Sequence, residues 1–331
     1  MGEYGIGVIG AGHFLPSKIE TNQDLCKSLD VTPEWIKSKT GITKRYIAED
    51  KDTASGFSIL AAKRAIEMAG ISNEEIDLII SCTFSHDYQF PALSAKIQKE
   101  LKTNAQVFDI QANCAGFITG LTVASDRMRV DDSVKYALVI GVELQSRFIE
   151  SKNVETSIFF SDGAGAVILG RVPKGEGIIN SLFHADTSAY ELVRLRGGGS
   201  SFPMIGRKIT PEIDFMELNG LATWKQAITN LPISIRGVCD KANIPLKEID
   251  LFLFHQANLN LIHYVLKKIR VDIKKTYTNI ERIGNTGSAS LAIVLSEAMQ
   301  KGIIKKGQYV LMTAVGAGFI YGSSIWKWGK I

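Results

Sequence analysis

The chain has 331 residues, 45% hydrophobic and 22% charged, which excludes a disordered or collagen-like polymer and supplies more apolar residues than one core usually organises. Its 38 Lys and Arg against 34 Asp and Glu leave a net charge of +4, too small to imply nucleic-acid binding. Four cysteines (Cys26, Cys82, Cys114, Cys239) without a CxxC pair suggest neither a zinc site nor a disulfide framework and fit a reduced compartment.

In chain order, residues 1–12 lack the basic and long apolar regions of a secretory leader, which predicts a cytoplasmic protein. Gly10 and Gly12 imitate the start of a dinucleotide fingerprint, but Leu15 stands where the third glycine belongs and Pro16 follows, so no Rossmann site is expected. Residues 61–69 predict an amphipathic helix leading into a buried strand after Asp77. Residues 106–113 read as a strand, and an apolar helix starts at Cys114. Residues 136–142 form a continuous apolar run, the mark of a strand buried on both faces. Residues 187–211, with three successive glycines at 197–199, predict a loop or flap. A second amphipathic helix (233–242) precedes an apolar strand ending at His255, and a basic run follows at Lys267, Lys268, Arg270, Lys274 and Lys275. The small-residue loop 284–290 precedes a helix over 291–300, and 309–321, the longest mostly apolar stretch, is too short to span a bilayer.

The two amphipathic-helix and strand segments repeat. Asp77 matches Asp250 and Tyr136 matches Tyr309, both at an offset of 173 residues, which predicts a duplicated α/β half with domains over 1–172 and 173–331. The same offset sets Cys114 against Gly287 and His255 against Cys82, so a pseudo-twofold would bring Cys114, His255 and Asn285 toward one centre. Cys114 sits on a strand-to-helix elbow, where helix N–H groups are expected to lower its pKa and suit it to nucleophilic attack; an ordinary buried cysteine is the plain alternative. His255 leaves a buried strand at its C-terminal end, where α/β sheets bind ligands, and reads as a proton donor or acceptor or as a satisfied strand terminus. Asn285 offers two uncharged donors or a helix cap. The basic run reads as a solvated helix face or a docking site for an acidic protein.

These residues resemble the β-ketoacyl-acyl-carrier-protein synthase III family, condensing enzymes of the thiolase superfamily, nearly end to end. The resemblance rests on Asn22–Gln23–Asp24–Leu25, Trp35–Ile36 with Thr40–Gly41–Ile42, Asn113–Cys114–Ala115–Gly116–Phe117, Asp162–Gly163–Ala164–Gly165–Ala166, His255–Gln256–Ala257–Asn258, Gly284–Asn285–Thr286 and Gly316–Ala317–Gly318–Phe319. It implies a duplicated thiolase-like fold in five α/β/α/β/α layers and a homodimer. It also implies a catalytic set of Cys114, His255 and Asn285, with an oxyanion hole from the backbone N–H groups of Cys114 and Ala317. The implied reaction is decarboxylative condensation of an acyl thioester, through acyl-Cys114, with a malonyl thioester. No metal or bound cofactor is called for, and coenzyme A or phosphopantetheine thioesters are the substrates. The family pattern further places Trp35, Lys39, Phe90, Trp224 and Gln256 against substrate, and Lys267, Lys268 and Arg270 against acyl carrier protein, with no nucleic-acid or membrane partner.

Several positions depart from that pattern. Lys39 and Val154 occupy arginine positions near the coenzyme A nucleotide, and Asn260 replaces a basic residue of the carrier patch. These departures predict that free coenzyme A esters are weak donors. Ala317 replaces a middle glycine, tolerable only if its φ suits a residue with Cβ. Trp35 reads as an adenine platform or a buried anchor, and Trp224 is larger than the usual aromatic. A transferase passing the acyl group to a hydroxyl or amine without decarboxylation is the alternative activity. A papain-like protease shares the order Cys, His, Asn but not the flanking signature or the repeat. A noncatalytic subunit would be expected to lose the cysteine.

Overall fold

The structure, a computed structural model, describes residues 3–329. Nine principal strands and seven principal helices carry the fold: β1 Tyr4–Phe14, α1 Pro33–Thr40, α2 Ala54–Ala69, β2 Leu78–Cys82, α3 Leu93–Leu101, β3 Gln106–Ile110, α4 Gly116–Val130, β4 Ala137–Leu144, β5 Asp162–Pro173, β6 Gly177–Ala185, α5 Gly220–Ala242, β7 Leu251–Phe254, α6 Leu259–Ile269, α7 Ala289–Gln300, β8 Tyr309–Gly316 and β9 Ile320–Lys327. The first sheet runs β1-β5-β4-β2-β3 and the second β6-β9-β8-β7. Each has the same pattern, a parallel pair (β4 with β2, β8 with β7) continued by two antiparallel strands. Thr276 bridges Phe252 where a fifth strand of the second sheet would lie. β1 and β6, β2 and β7, and α4 and α7 all begin 173 residues apart, so the sequence period is also a structural one. The chain passes between the sheets through 174–176, and we place the division of the halves there.

Burial explains the layering. α7 is buried at every residue from Ala289 to Met299, as a helix must be when sheets cover both its faces. With α4 it forms the middle layer, where Phe117, Leu121, Leu291 and Leu295 meet Ile80 of one sheet and Met312 of the other. α2 and α3 cover the outer face of the first sheet, and α5 and α6 that of the second. The result is the expected α/β/α/β/α stack. Gly10 and Gly12 let β1 approach α2, since a Cβ there would stand 2.3 Å from the Ala65 carbonyl and 2.4 Å from that of Ala61. Their role is strand–helix contact, not dinucleotide binding. Among the described residues, no helix is long and apolar enough to cross a membrane.

Candidate active site

The parallel strand β3 delivers the chain to the middle layer, and a 3-10 turn, Asn113–Ala115, converts it into α4. Asn113 takes a left-handed conformation (φ 48°), which asparagine tolerates better than most residues, and turns Cys114 toward the other half. There Gly316 presses against the elbow: a Cβ on it would lie 2.6 Å from the Ala112 carbonyl oxygen and 3.2 Å from the Cys114 nitrogen. The positive φ of this turn falls on Gly318 (137°) and not on Ala317, which is why a residue with Cβ fits its middle position. Cys114 is half-buried, whereas Cys82 and Cys239 are buried. The lowered pKa expected at the elbow is not what the surroundings give. Burial, aided by the Glu143 carboxylate, pushes the Cys114 thiol up to about 12, because desolvation of a thiolate outweighs the helix-end N–H groups.

His255 and Asn285 arrive from β7 and from the loop before α7, each 6% exposed. The His255 N–H donates to the Thr313 carbonyl (2.8 Å), fixing the strand end, and its Nδ1 lies 2.5 Å from Ser290 Oγ. Ser290 Oγ also accepts the Gln256 N–H at 3.1 Å, and we assign its own hydrogen to Nδ1. The ring proton is thereby assigned to Nε2. Burial pushes His255 down to about 4, so the ring is neutral near pH 7. The Asn285 side-chain oxygen accepts the Gly287 N–H at 2.9 Å, which leaves its NH2 group as the end available to a ligand. The Asn285 backbone is held by Phe159 (2.9 Å), Ser161 (2.8 Å) and Gln145 (2.8 Å). Each side chain is thus oriented by its opposite atom, His255 through Nδ1 and Asn285 through its oxygen.

Beneath them lies Glu143, the last charged residue before β4 ends and fully buried. Ser85 Oγ donates to it at 2.6 Å and Thr83 Oγ1 at 3.2 Å. Ser288 Oγ lies 3.0 Å from Glu143 Oε1 and 2.7 Å from the Cys82 carbonyl. Ser288 has one hydrogen to share between these two acceptors, and the Phe84 N–H donates to Glu143 Oε1 at 3.3 Å. Burial pushes Glu143 up to about 7. Sequence reasoning missed Glu143, Ser290 and Asn113. A lone carboxylate closing an apolar strand and an asparagine just before an elbow cysteine were the available signals.

Other expected site residues lie elsewhere or act differently. Gln256 is not a substrate contact: it is fully buried, its NH2 donating to the Phe254 carbonyl (2.8 Å) and its oxygen accepting from Asn279 (3.1 Å) and Ile280 (3.3 Å). Phe90 is 86% exposed on the loop after β2. Trp35, 38% exposed on α1, is no buried anchor, and the Lys39 ammonium lies 5.9 Å from its ring centre. Val154 is half-buried and packs against the apolar cluster of Leu25, Leu29, Ile36 and Ile158. The Asn260 NH2 group is committed to the Ser38 (2.9 Å) and Lys39 (3.1 Å) carbonyls at the end of α1. Trp224 packs edge-on to Tyr264, 6.1 Å between ring centres. Lys267, Lys268 and Arg270 are exposed, although the Lys268 ammonium donates to the Ile228 carbonyl at 2.9 Å. No cluster of three or more potential metal ligands occurs among the described residues.

Residues 108–187 match the family model for 3-oxoacyl-[acyl-carrier-protein] synthase III, and residues 239–328 match that for its C-terminal part. The chain is 37% identical over 325 residues to the β-ketoacyl-[acyl-carrier-protein] synthase III of Caldanaerobacter subterraneus subsp. tengcongensis, covering 98% of both chains. It is also 37% identical over 327 residues to that of Syntrophomonas wolfei, again with 98% of each covered. The crystal structure of the Aquifex aeolicus 3-oxoacyl-[acyl-carrier-protein] synthase III superposes with a TM-score of 0.91 at 33% identity, covering 98% of this chain and 100% of that one. With its duplicated five-layered architecture and these full-length matches, the chain belongs to the 3-oxoacyl-[acyl-carrier-protein] synthase III family of thiolase-fold condensing enzymes.

Proposed function

We propose that this enzyme condenses an acyl thioester with a malonyl thioester carried on acyl carrier protein, releasing CO2 and giving a 3-oxoacyl thioester. The observation that carries the reading is the pair of oriented neutral donors, His255 Nε2–H and the Asn285 NH2 group, in the neighbourhood of the Cys114 elbow. Cys114 Sγ bonds to the acyl carbon, the carbon–sulfur bond to the donor breaks, and the thiol proton leaves with the departing sulfur. The Cys114 and Ala317 N–H groups hold the oxygen of the tetrahedral intermediate. The malonyl thioester then loses CO2, the bond's electron pair passing into an enolate whose oxygen accepts from His255 and Asn285. Its carbon attacks the acyl carbon, Cys114 departs as thiolate, and solvent returns its proton. Uncharged donors suit both ends of this step, since they strengthen as the oxygen gains charge without trapping the starting ester. Only the two thioesters enter these steps.

In this reading the protein is an acyltransferase of the cytoplasm, where its four free cysteines stay reduced. Trp35 and Lys39 border the substrate's entry, Trp224 the acyl side, and Lys267, Lys268 and Arg270 receive the carrier protein. A homodimer is supported by the open edge of β3, where Val107, Phe108 and Ile110 are only half-buried beside the loop that exposes Tyr88 and Phe90. Intact mass spectrometry with an acyl thioester, followed by malonyl thioester with CO2 detection, tests the activity. Acyl addition abolished in Cys114→Ala, with CO2 and 3-oxoacyl product from the wild type, is expected. Transfer to a hydroxyl or amine acceptor without CO2 release would overturn it.

A further inference from the structure

We infer that Asn113 is a positioning residue that clamps the Gly316–Gly318 turn onto the nucleophile elbow and so fixes the oxyanion hole. The inference rests on the acylation of Cys114 proposed above. The two N–H groups of that hole, on Cys114 and Ala317, come from segments 203 residues apart in sequence, and nothing covalent holds them in register. Gly316, wedged against Ala112 and Ala115, sets how closely the segments approach. It does not set the rotation of the peptides that follow, and Ala317 and Gly318 are both half-exposed. On the far side the turn is tied by the reciprocal pair between Phe319 and Asp186 (3.0 and 2.9 Å). On the near side, the tie from the elbow is the Asn113 NH2 group, donating to the Ala317 carbonyl at 2.9 Å. Holding that carbonyl fixes the peptide plane after Ala317 and, through the one residue between them, restricts rotation of the plane before it, which carries the Ala317 N–H. The Ala317 N–H then has one orientation.

Asn113 is also the residue before Cys114, so the same side chain references the turn to the second donor. Its left-handed backbone and its amide are separate contributions, and substitution separates them. Asn113→Gly keeps the backbone freedom and removes the donor. Asn113→Asp keeps the shape and opposes the Ala317 carbonyl with an acceptor. Single-turnover acylation of Cys114 by an acyl thioester, followed by intact mass across thioester concentrations, reads the limiting rate and the half-saturating concentration independently. Losing an oxyanion donor outright costs ~10²–10³ in rate, and loosening one should cost about 10–100-fold. The limiting rate should therefore fall about 10–100-fold in Asn113→Gly and at least as far in Asn113→Asp, with half-saturation within about twofold of wild type. The thermal midpoint of Asn113→Gly should stay close to wild type, since no buried packing is lost. An Asn113→Gly rate within twofold of wild type would reduce Asn113 to a backbone role and overturn the inference. A loss confined to half-saturation would do the same. Absence of acylation in the wild type would instead overturn the functional reading beneath it.

Discussion

Because burial and the Glu143 carboxylate push the Cys114 thiol up to about 12, the resting sulfur carries its proton. Alkylation by iodoacetamide should be slow at pH 7 and quicken about tenfold per pH unit through the mildly alkaline range, as the thiolate fraction does. Peptide mapping should find the adduct on Cys114 and not on Cys82 or Cys239, whose thiols are buried; a rate flat with pH would mean a pre-formed thiolate. His255 lies at the opposite extreme. Its folded value of about 4 is below the ordinary 6.5, so the neutral ring's contribution to stability is full above pH 6.5 and is lost as pH falls toward 4. Near neutrality it is a donor that cannot be titrated away. His255→Ala and Asn285→Ala should therefore acylate Cys114 at near wild-type rate while CO2 release drops ~10²–10³-fold. Equal loss in both half-reactions, measured by intact mass and by CO2 capture, would break this division of labour. The duplicated halves that carry Cys114, His255 and Asn285 were legible from the 173-residue period, but the direction of the Cys114 shift was not. Helix-end charge is local to the sequence, whereas desolvation is imposed by the other half of the molecule.

At the scale of elements, β4 illustrates what an apolar run hides. Its hydrophobic pattern identifies a strand buried on both faces, and Val139 and Ile140 behave accordingly. That pattern is silent about Glu143, whose partners come from the loops after β2 and before α7. Gln256 was misjudged for the same reason: its backbone partners at Asn279 and Ile280 lie 23 and 24 residues downstream. Burial raises Glu143 from 4.5 to about 7, so the folded state holds its proton more tightly than the unfolded chain. The stability this contributes is full below pH 4.5 and is lost as pH rises through 7. Glu143→Gln removes the charge and keeps the shape, its oxygen accepting from Ser85 and Thr83. Relative to wild type, the variant should gain about 1–3 kcal/mol between pH 5 and pH 8 in denaturant unfolding. A variant-to-wild-type difference that is the same at both pH values would show that Glu143 is ionised throughout. The cysteine offers an independent check. Removing the charge behind it should bring its alkylation profile to lower pH.

For the whole molecule, duplication was legible because a repeat needs only self-comparison, while Phe90 was not, because its place depends on which way a surface loop turns. The same distinction bears on the acyl donor. Two positions that the family gives to arginine near the coenzyme A nucleotide are filled here for other purposes: Val154 supports an apolar cluster, and Lys39 lies over Trp35. Lysine cannot form the planar fork that binds phosphate bidentately, and valine supplies no charge. A carrier protein presents the same pantetheine arm without the nucleotide, and an acidic carrier meets whatever cations the docking face extends. Asn260 is spent on the end of α1, Lys268 on the Ile228 carbonyl, and Lys275 on the Lys247 and Ile249 carbonyls. Lys267, Arg270 and Lys274 remain to meet an acidic surface. Acylation of Cys114 should therefore be faster from carrier protein than from coenzyme A bearing the same acyl group. The carrier reaction should slow as salt rises from about 50 to 500 mM, because the steering charges are exposed and screened. Lys267→Glu combined with Arg270→Glu should slow the carrier reaction about tenfold or more while leaving the coenzyme A reaction within about twofold, since the pair acts on encounter rather than on chemistry. A coenzyme A reaction as fast as the carrier reaction, or a carrier reaction indifferent to salt and to the double substitution, would assign donor recognition to the Trp35–Lys39 face instead.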